Sequence, residues 1–261
     1  MKKIIQITVW MLVFAGFCVI VGFAMVNQKT VKCTGLKISI RNSEKPGFIN
    51  QKDIRRFIYE EFDSLTGNYL DKINTDRIEK MLNINSYIAN VRVYSSVQGE
   101  IMIDIVRHEA LVRIINQDNE GFYLSQAGTP MPLKREFKPK LPVASGFISD
   151  KLSNINGQTF LLSSTNVRQS PLLGKIHHIA DELTKSDFLS RYITQIYVDE
   201  TGQFELTPSD GKFNIILGDA NDMPIKFENF IAFYKAVVQK METDSISSVN
   251  LKFINQVVCK K

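Results

Sequence analysis

The sequence predicts an α+β protein that begins with a single transmembrane helix. Residues 36–108 follow the order of a strand, two helices and a hairpin, and residues 109–261 form a mixed β region with flanking helices. Residue spacing distinguishes these elements. Apolar residues recur at every second position in a half-buried strand, and at every third or fourth position in an amphipathic helix.

The composition is that of a folded protein with an ordinary charge. Of 261 residues, 44% are hydrophobic and 23% are charged, which excludes wholesale disorder. Three cysteines exclude a disulfide scaffold. The formal net charge of +5 is too small and too scattered to indicate a nucleic-acid partner. No small-molecule substrate is indicated.

An uncharged apolar segment covers residues 4–26, after a cytoplasmic N-terminus of residues 1–3. As a helix it would extend about 35 Å, against a hydrocarbon core of about 30 Å. A cleaved signal peptide is the alternative, but its apolar region normally runs about 7–15 residues. We expect a retained single-pass anchor with the N-terminus inside, although basic residues flank both ends. A stalk of residues 27–35 then leads to domains outside the cytoplasm.

The first module begins with an alternating strand at Leu36–Ile40. Asn50 is a candidate N-cap for a first helix, and a second short helix starts near Asn74. A hairpin follows, in which residues 89–94 and 101–106 alternate apolar and polar side chains. The predicted order is therefore β-α-α-β-β.

The second module is predicted to be rich in strands. Four prolines make residues 128–142 a loop, and residues 149–170 are a polar surface loop with one short strand at Thr159–Leu162. Helices are predicted at Leu173–Lys185 and from Pro224 to about Met241. The main strands are predicted at Val112–Ile115, Phe122–Leu124, Val143–Ile148, Ile193–Val198, Gln203–Leu206, Phe213–Leu217 and, as one long closing strand, Val249–Val258.

The sequence contains no recognisable catalytic constellation. The motifs CxxC, GxxxxGK[ST], GxSxG and HExxH do not occur. His177 and His178 are adjacent and point about 100° apart on a helix, so we interpret them as a solvated pair and not as zinc ligands. Cys33 and Cys259 are interpreted as two separate thiols. We expect no catalytic residue, no metal site and no cofactor.

Three stretches resemble one protein family. They are Ile84–Ile114 (INSYIANVRVYSSVQGEIMIDIVRHEALVRI), Gly121–Leu133 (GFYLSQAGTPMPL) and Val249–Lys261 (VNLKFINQVVCKK). With the apolar start, they make the chain similar to the bacterial cell-division proteins FtsQ/DivIB over nearly its whole length. The resemblance implies a POTRA domain at residues 36–108 and a β domain at residues 109–261.

The chain departs from the family pattern at several positions. Tyr87-Ile88 stand where the family often has Trp-Val, and Ser95-Ser96 replace Trp-Pro in the hairpin turn. Ala110-Leu111 stand where the family often has Pro.

The resemblance implies a non-catalytic bitopic scaffold of the inner membrane at the division septum. Such proteins bind other single-span division proteins, chiefly the FtsB/FtsL pair, and couple septal cell-wall synthesis to constriction. Matching the family's partner-binding strand implies that strand addition uses Leu251, Phe253, Asn255 and Val257. Alternatively, Leu251, Phe253 and Val257 simply face the core.

Further surfaces and functions stay open at this point. The POTRA strands at Leu36–Ile40 or Tyr87–Tyr94 are candidates for binding further division proteins. A membrane-anchored cell-wall hydrolase is one alternative function, which needs clustered acids or a metal. A POTRA-bearing transport component is another, which expects several POTRA copies.

Overall fold

The computed structural model describes residues 6, 10–20, 22, 31–41, 46–62, 64–155, 158–161, 170–238 and 246–260. The chain divides into two compact units. The first contains the described residues up to Ile84 together with Ile88–Arg107. The second contains Asn85–Tyr87 and the described residues from His108 onward.

Residues 10–20 near the N-terminus are helical, and their large apolar side chains are exposed. Among the described residues, no helix combines the length and the apolar character needed to cross a membrane. The predicted span of residues 4–26 lies partly outside the described residues, so the anchor stays a prediction.

The first unit has the predicted order β-α-α-β-β. The elements are β1 (Gly35–Ile40), α1 (Gln51–Phe62), α2 (Thr75–Asn83), β2 (Ile88–Ser95) and β3 (Glu100–Arg107). A short 3₁₀ turn at Leu70–Lys72 precedes α2. Strand β1 lies parallel to β3, and β3 lies antiparallel to β2, so β3 is the central strand.

Side chains cap both helices of this unit at their N-termini. The Asn50 Oδ1 atom accepts hydrogen bonds from the amides of Lys52 (2.8 Å) and Asp53 (3.0 Å). Asn74 accepts from the Arg77 amide at 2.9 Å. The helices bury their apolar faces against the sheet, with these fully buried side chains: Ile54, Ile58, Ile78, Leu82, Ile101, Ile103 and Ile105.

A nine-stranded mixed sheet forms the second unit. The strands of this unit are β4 (Ala110–Ile115), β5 (Gly121–Ser125), β6 (Pro130–Pro132), β7 (Val143–Gly146), β8 (Leu152–Ile155), β9 (Gln158–Leu161), β10 (Ile193–Val198), β11 (Phe204–Pro208), β12 (Asn214–Gly218), β13 (Ser248–Asn250) and β14 (Val258–Lys260). The strand order of the sheet is β14-β13-β12-β11-β10-β7-β4-β5-β6, and β8 and β9 form a separate hairpin.

Helices α3 (Pro171–Thr184), α4 (Asp187–Tyr192) and α5 (Met223–Phe233) share the core with one face of this sheet. Ser170 and Ser186 cap α3 and α4. The core includes Ile176, Ile179, Phe227 and Phe230 from the helices and Ile114, Ile196 and Ile215 from the strands. The rest of the sheet is unevenly covered: Tyr197 is 36% exposed, whereas Tyr123 and Met131, which lie outside this core, are 3% and 0% exposed.

Several predicted elements need correction. Residues 128–142 were predicted to be a loop, but they contain strand β6. Its prolines are tolerated because β6 is the outermost strand. The last helix was predicted to reach Met241, but it changes to π-helical geometry at Tyr234–Val238, and residues 239–245 lie outside the described part. The short helix α4 was not predicted.

Gly146 has a backbone conformation and a position that a larger residue fits poorly. Its φ is +103°, and an added Cβ would lie 2.2 Å from the Val198 carbonyl oxygen. We expect Gly146→Ala to lower the free energy of unfolding of the second unit by about 2–5 kcal/mol, through clash and strain together. Hydrogen exchange of the β7 and β10 amides measures this loss.

Gly202→Ala is the matched control. Gly202 also has a positive φ, +76°, but no other atom lies within 4 Å of its added Cβ. We expect Gly202→Ala to lower the free energy of unfolding only by the cost of a positive φ in a non-glycine residue, about 1–2 kcal/mol. Equal losses in the two variants would contradict the assigned clash.

Candidate partner-binding edge

The last segment of the chain is a hairpin, so the prediction of one long strand at Val249–Val258 is wrong. Strands β13 and β14 pair antiparallel, and residues 251–257 connect them. The Asn250 side chain accepts a hydrogen bond from the Lys252 amide at 2.9 Å, which turns the chain just after β13. The apolar alternation continues through this turn, and it therefore imitates a strand in the sequence.

Strand β14 is the outermost strand at its end of the sheet. Strand β13 lies between β12 and β14, so both of its edges are paired. Within the described part of the chain, β14 has one neighbouring strand. The Lys260 carbonyl accepts from the Ser247 amide at 2.8 Å and so points toward β13. Alternation along a strand then directs the N–H and C=O of Cys259 outward.

The opposite end of the sheet is less suited to strand pairing. Strand β6 is outermost there, and two of its three residues, Pro130 and Pro132, have no backbone N–H. Prolines are a common means by which natural proteins protect a sheet edge. Strand β14 contains no proline, so it is the more competent edge for a partner strand.

The four residues predicted to bind a partner are not on one strand. All of them lie in the β13–β14 turn. Leu251 is 1% exposed, and its amide donates to the Ile216 carbonyl at 2.8 Å. Val257 is half-buried and packs on the core. Phe253 is 50% exposed and Asn255 is also exposed. The structure therefore places two of the four within reach of another molecule.

Two further apolar side chains are exposed here: Ile254, in the turn, is 45% exposed, and Val258, at the start of β14, is 42% exposed. Neither was among the predicted contact residues. Together with Phe253 they form what we call the apolar turn surface (Phe253, Ile254, Val258). The Asn229 side chain of α5 donates to the Ile254 carbonyl at 2.7 Å, which ties the turn to the helix. The run of apolar residues was visible in the sequence, but its turn geometry was not.

A buried lysine holds the segment between β12 and α5. Lys226 is 3% exposed, and its Nζ donates to the Asp219 carboxylate (2.7 Å) and carbonyl (3.0 Å) and to the Leu217 carbonyl (3.2 Å). The hydrogen bond from Lys226 to the carboxylate is the main cause that holds the pKa of Asp219 below its ordinary value. The stem of Lys252 lies against Gly218, so the turn also packs on the end of β12.

The remaining chemistry-bearing residues have structural surroundings. His177 lies within hydrogen-bond distance of two backbone carbonyls, Ser125 (3.2 Å) and Gln126 (3.0 Å), so it ties α3 to the β5–β6 turn and is not simply solvated. Cys33 is buried and free, and Cys259 is exposed and free. Desolvation raises the pKa of the Cys259 thiol, which lowers its reactivity. In the described ranges, no group of three or more His, Cys, Asp or Glu side chains could hold a metal ion.

The two units define a class of protein in which a POTRA-like domain precedes a domain built on a large mixed sheet. A POTRA-like family model matches residues 31–106, and the model described as "FtsQ/DivIB, C-terminal related" matches residues 109–260. The second match covers more than half of the 261 residues, so the chain belongs to the FtsQ/DivIB family of cell-division proteins. No individual curated protein matches the chain.

Family membership sets the general character of the protein. The FtsQ/DivIB family consists of division proteins that are generally non-catalytic. Its members interact with other division proteins. Within the described residues, the outer edge of β14 and the apolar turn surface are the features of the second unit best suited to such an interaction.

Leu251 and Phe253 should respond differently to truncation, because one is buried and the other is half-exposed. We expect Leu251→Ala to lower the free energy of unfolding by about 2–5 kcal/mol. Phe253→Ala should change it by no more than about 0.5 kcal/mol. Urea unfolding measures both values, and a large loss in the Phe253 variant would show that its ring belongs to the core.

The Asp219–Lys226 pair should make stability depend on acidity. The folded-state pKa of Asp219 is lowered from 3.8, mainly by the hydrogen bond from Lys226. Its stabilising contribution is therefore complete above pH 3.8 and is lost as the pH falls through the lower folded value. We expect Lys226→Met to be less stable at neutral pH, because it removes a buried hydrogen-bonded partner.

The same two proteins provide the measurement. As the pH is lowered below 3.8, the stability difference between the wild type and Lys226→Met should narrow. Urea unfolding at a series of pH values follows this difference. A gap that stayed constant would show that the pair does not titrate in this way.

Proposed function

We propose that the chain is a non-catalytic bitopic scaffold of the bacterial division machinery, which captures another single-span division protein by strand addition. The observation that carries this proposal is the outer side of β14 at the end of the nine-stranded sheet, which no other described strand pairs with. A strand edge offers main-chain hydrogen bonds to an extended segment, and neighbouring side chains set its register. In the apolar turn surface, Phe253 and Ile254 precede β14 in the chain, and Val258 is the first residue of β14.

The partner proposed is of the FtsB/FtsL type. Its segment would add antiparallel or parallel to β14 and cover Phe253 and Ile254 with apolar side chains. Phe253 and Asn255 are the proposed contacts from the turn. Leu251 and Val257 support the site indirectly, because their packing on the core positions the turn.

The proposal also includes the membrane arrangement predicted from the sequence. Residues 4–26 are proposed as an anchor in the cytoplasmic membrane, with residues 1–3 inside and residues 27–261 outside. The stalk, POTRA domain and β domain are proposed at residues 27–35, 36–108 and 109–261. Located at the septum, such a protein would couple cell-wall synthesis to constriction by holding its partners at one site.

The first unit offers further edges for division proteins. Strands β1 and β2 are the outer strands of its three-stranded sheet, so each has one neighbouring strand within the described residues. These strands include the predicted binding stretches Leu36–Ile40 and Tyr87–Tyr94, apart from Tyr87. This placement supports their use as additional docking sites.

Proline at position 259 tests the β14 edge directly. The Cys259 N–H points outward, so Cys259→Pro removes a donor from the free edge and leaves the bonds between β13 and β14 in place. We expect the full chain carrying Cys259→Pro to bind a purified FtsB/FtsL-type partner at least about tenfold more weakly, since a ladder bond is lost and the ring obstructs the partner strand.

Cys259→Ser is the matched control, because it keeps the backbone N–H and approximates the size of the thiol. Its affinity should stay within about twofold of the wild-type value, a change smaller than that of one hydrogen bond. Both proteins are compared by biolayer interferometry, with thermal unfolding as the folding check. Equal affinities in folded Cys259→Pro and Cys259→Ser would refute strand addition at β14.

A further inference from the structure

A cavity of about 350 Å³ lies in the first unit, between the end of α1 and the start of α2. This volume is at the small end of the range for ligand pockets in proteins, about 300–1,000 Å³. Its described lining combines apolar side chains with two cations, Lys72 and Arg77, and two amides.

The floor of the cavity is apolar. Leu65 is 5% exposed and Ile78 is 1% exposed, so both are held by the core of the unit. Phe62 and Ile73 are half-buried and complete the floor. Such a surface favours an apolar group over a fully hydrated one.

The rim of the cavity carries positive charge. Lys72 and Arg77 both line it and are exposed, and no carboxylate is among its described lining residues. The Arg77 guanidinium carbon lies 5.6 Å from the centre of the Phe62 ring, which holds the cation above the floor. Among the described residues, neither Lys72 nor Arg77 forms an ion pair. Their charges are therefore available to an incoming anion.

The amides on the rim are already used within the protein. Asn68 donates to the Ser64 carbonyl at 2.9 Å, and Asn74 accepts from the Arg77 amide at 2.9 Å. A third cation lies nearby, because Lys32 and Lys72 both approach the Tyr69 ring, at 5.5 and 5.6 Å from its centre. Recognition at this rim is therefore dominated by positive charge.

We propose that this cavity binds a short acidic peptide segment of another protein, in which an apolar side chain lies next to a carboxylate. The side chain fills the floor, and the carboxylate pairs with Arg77 and Lys72. A planar guanidinium suits a carboxylate because it can donate two parallel hydrogen bonds. An anionic lipid in a bilayer presents its headgroup at the surface and keeps its acyl chains in the membrane, so it would use the cations and leave the apolar floor unfilled. A peptide supplies both groups and is the better fit.

This site is separate from the β14 edge and goes beyond the proposed scaffold function. Its success or failure does not depend on strand addition, because the two sites lie in different units and use different residues. The first unit would then have two kinds of binding site, the edges of its sheet and a cavity that binds a side chain of the partner.

Fluorescence polarisation with the full chain tests the proposal. The probe is a fluorescein-labelled pool of capped hexapeptides that carry Leu or Phe next to Glu. We expect the pool to bind, and we expect Arg77→Glu or Lys72→Glu to weaken binding about tenfold or more through charge repulsion. A pool with Lys in place of Glu should not bind.

Lys80→Glu is the matched control, since Lys80 is an exposed cation of α2 that does not line the cavity. Its affinity for the acidic pool should remain close to the wild-type value. Arg77→Lys keeps the charge and should bind with intermediate affinity, and thermal unfolding confirms that each variant is folded. Equal weakening by Lys80→Glu, or no binding of the acidic pool, would overturn the proposal. If the wild type bound phosphatidylglycerol vesicles but not the acidic peptides, and Arg77→Glu abolished the vesicle binding, the site would be assigned to lipid instead.

Discussion

The hydrogen bonds of Lys226 are the interaction on which the C-terminal part of the fold depends. Strands β12 and β13 are parallel, so the chain must leave one end of the sheet, pass through a helix and return at the other end. Lys226 binds the end of β12 and the following loop from the first half of α5. It therefore sets where the crossover begins, and β13 and β14 follow from that point.

The position of β14 has a cause in the topology of the sheet. An open sheet has two edges, and each edge must be protected or used. The prolines of β6 reduce pairing at one end. At the other end, the chain reverses after Asn250 and adds three more residues as β14. Strand β14 thus pairs with the outer side of β13, which is already paired with β12 on its other side. Among the described strands, β14 therefore becomes the edge of the sheet at this end.

Much of the fold can be predicted from sequence periodicity, and the elements that were not predicted have local causes. The strand at Ile193–Val198 was predicted with its observed bounds, because alternation and flanking turns agree there. Helix α4 has only six residues, which is too short to show a helical period. The final hairpin was missed because the Asn250 turn lies within an apolar run. Lys226 reads as a surface residue in any pattern, since only the tertiary structure supplies its three acceptors. The exposure of the Phe253 side chain was likewise not predictable, because it depends on the turn that follows Asn250.

The small size of β14 limits what its backbone alone contributes to capture. Of its three residues, only the central one directs both main-chain groups outward, so the strand itself offers two bonds to a newcomer. At about 0.5–1.5 kcal/mol each, two such bonds yield about 1–3 kcal/mol, far short of the roughly 8 kcal/mol of a micromolar complex. In the proposed membrane arrangement, confinement of both molecules to the same bilayer raises their effective concentration. Under that proposal, the short strand suits a complex that assembles in two dimensions and dissociates readily when its members are released into solution.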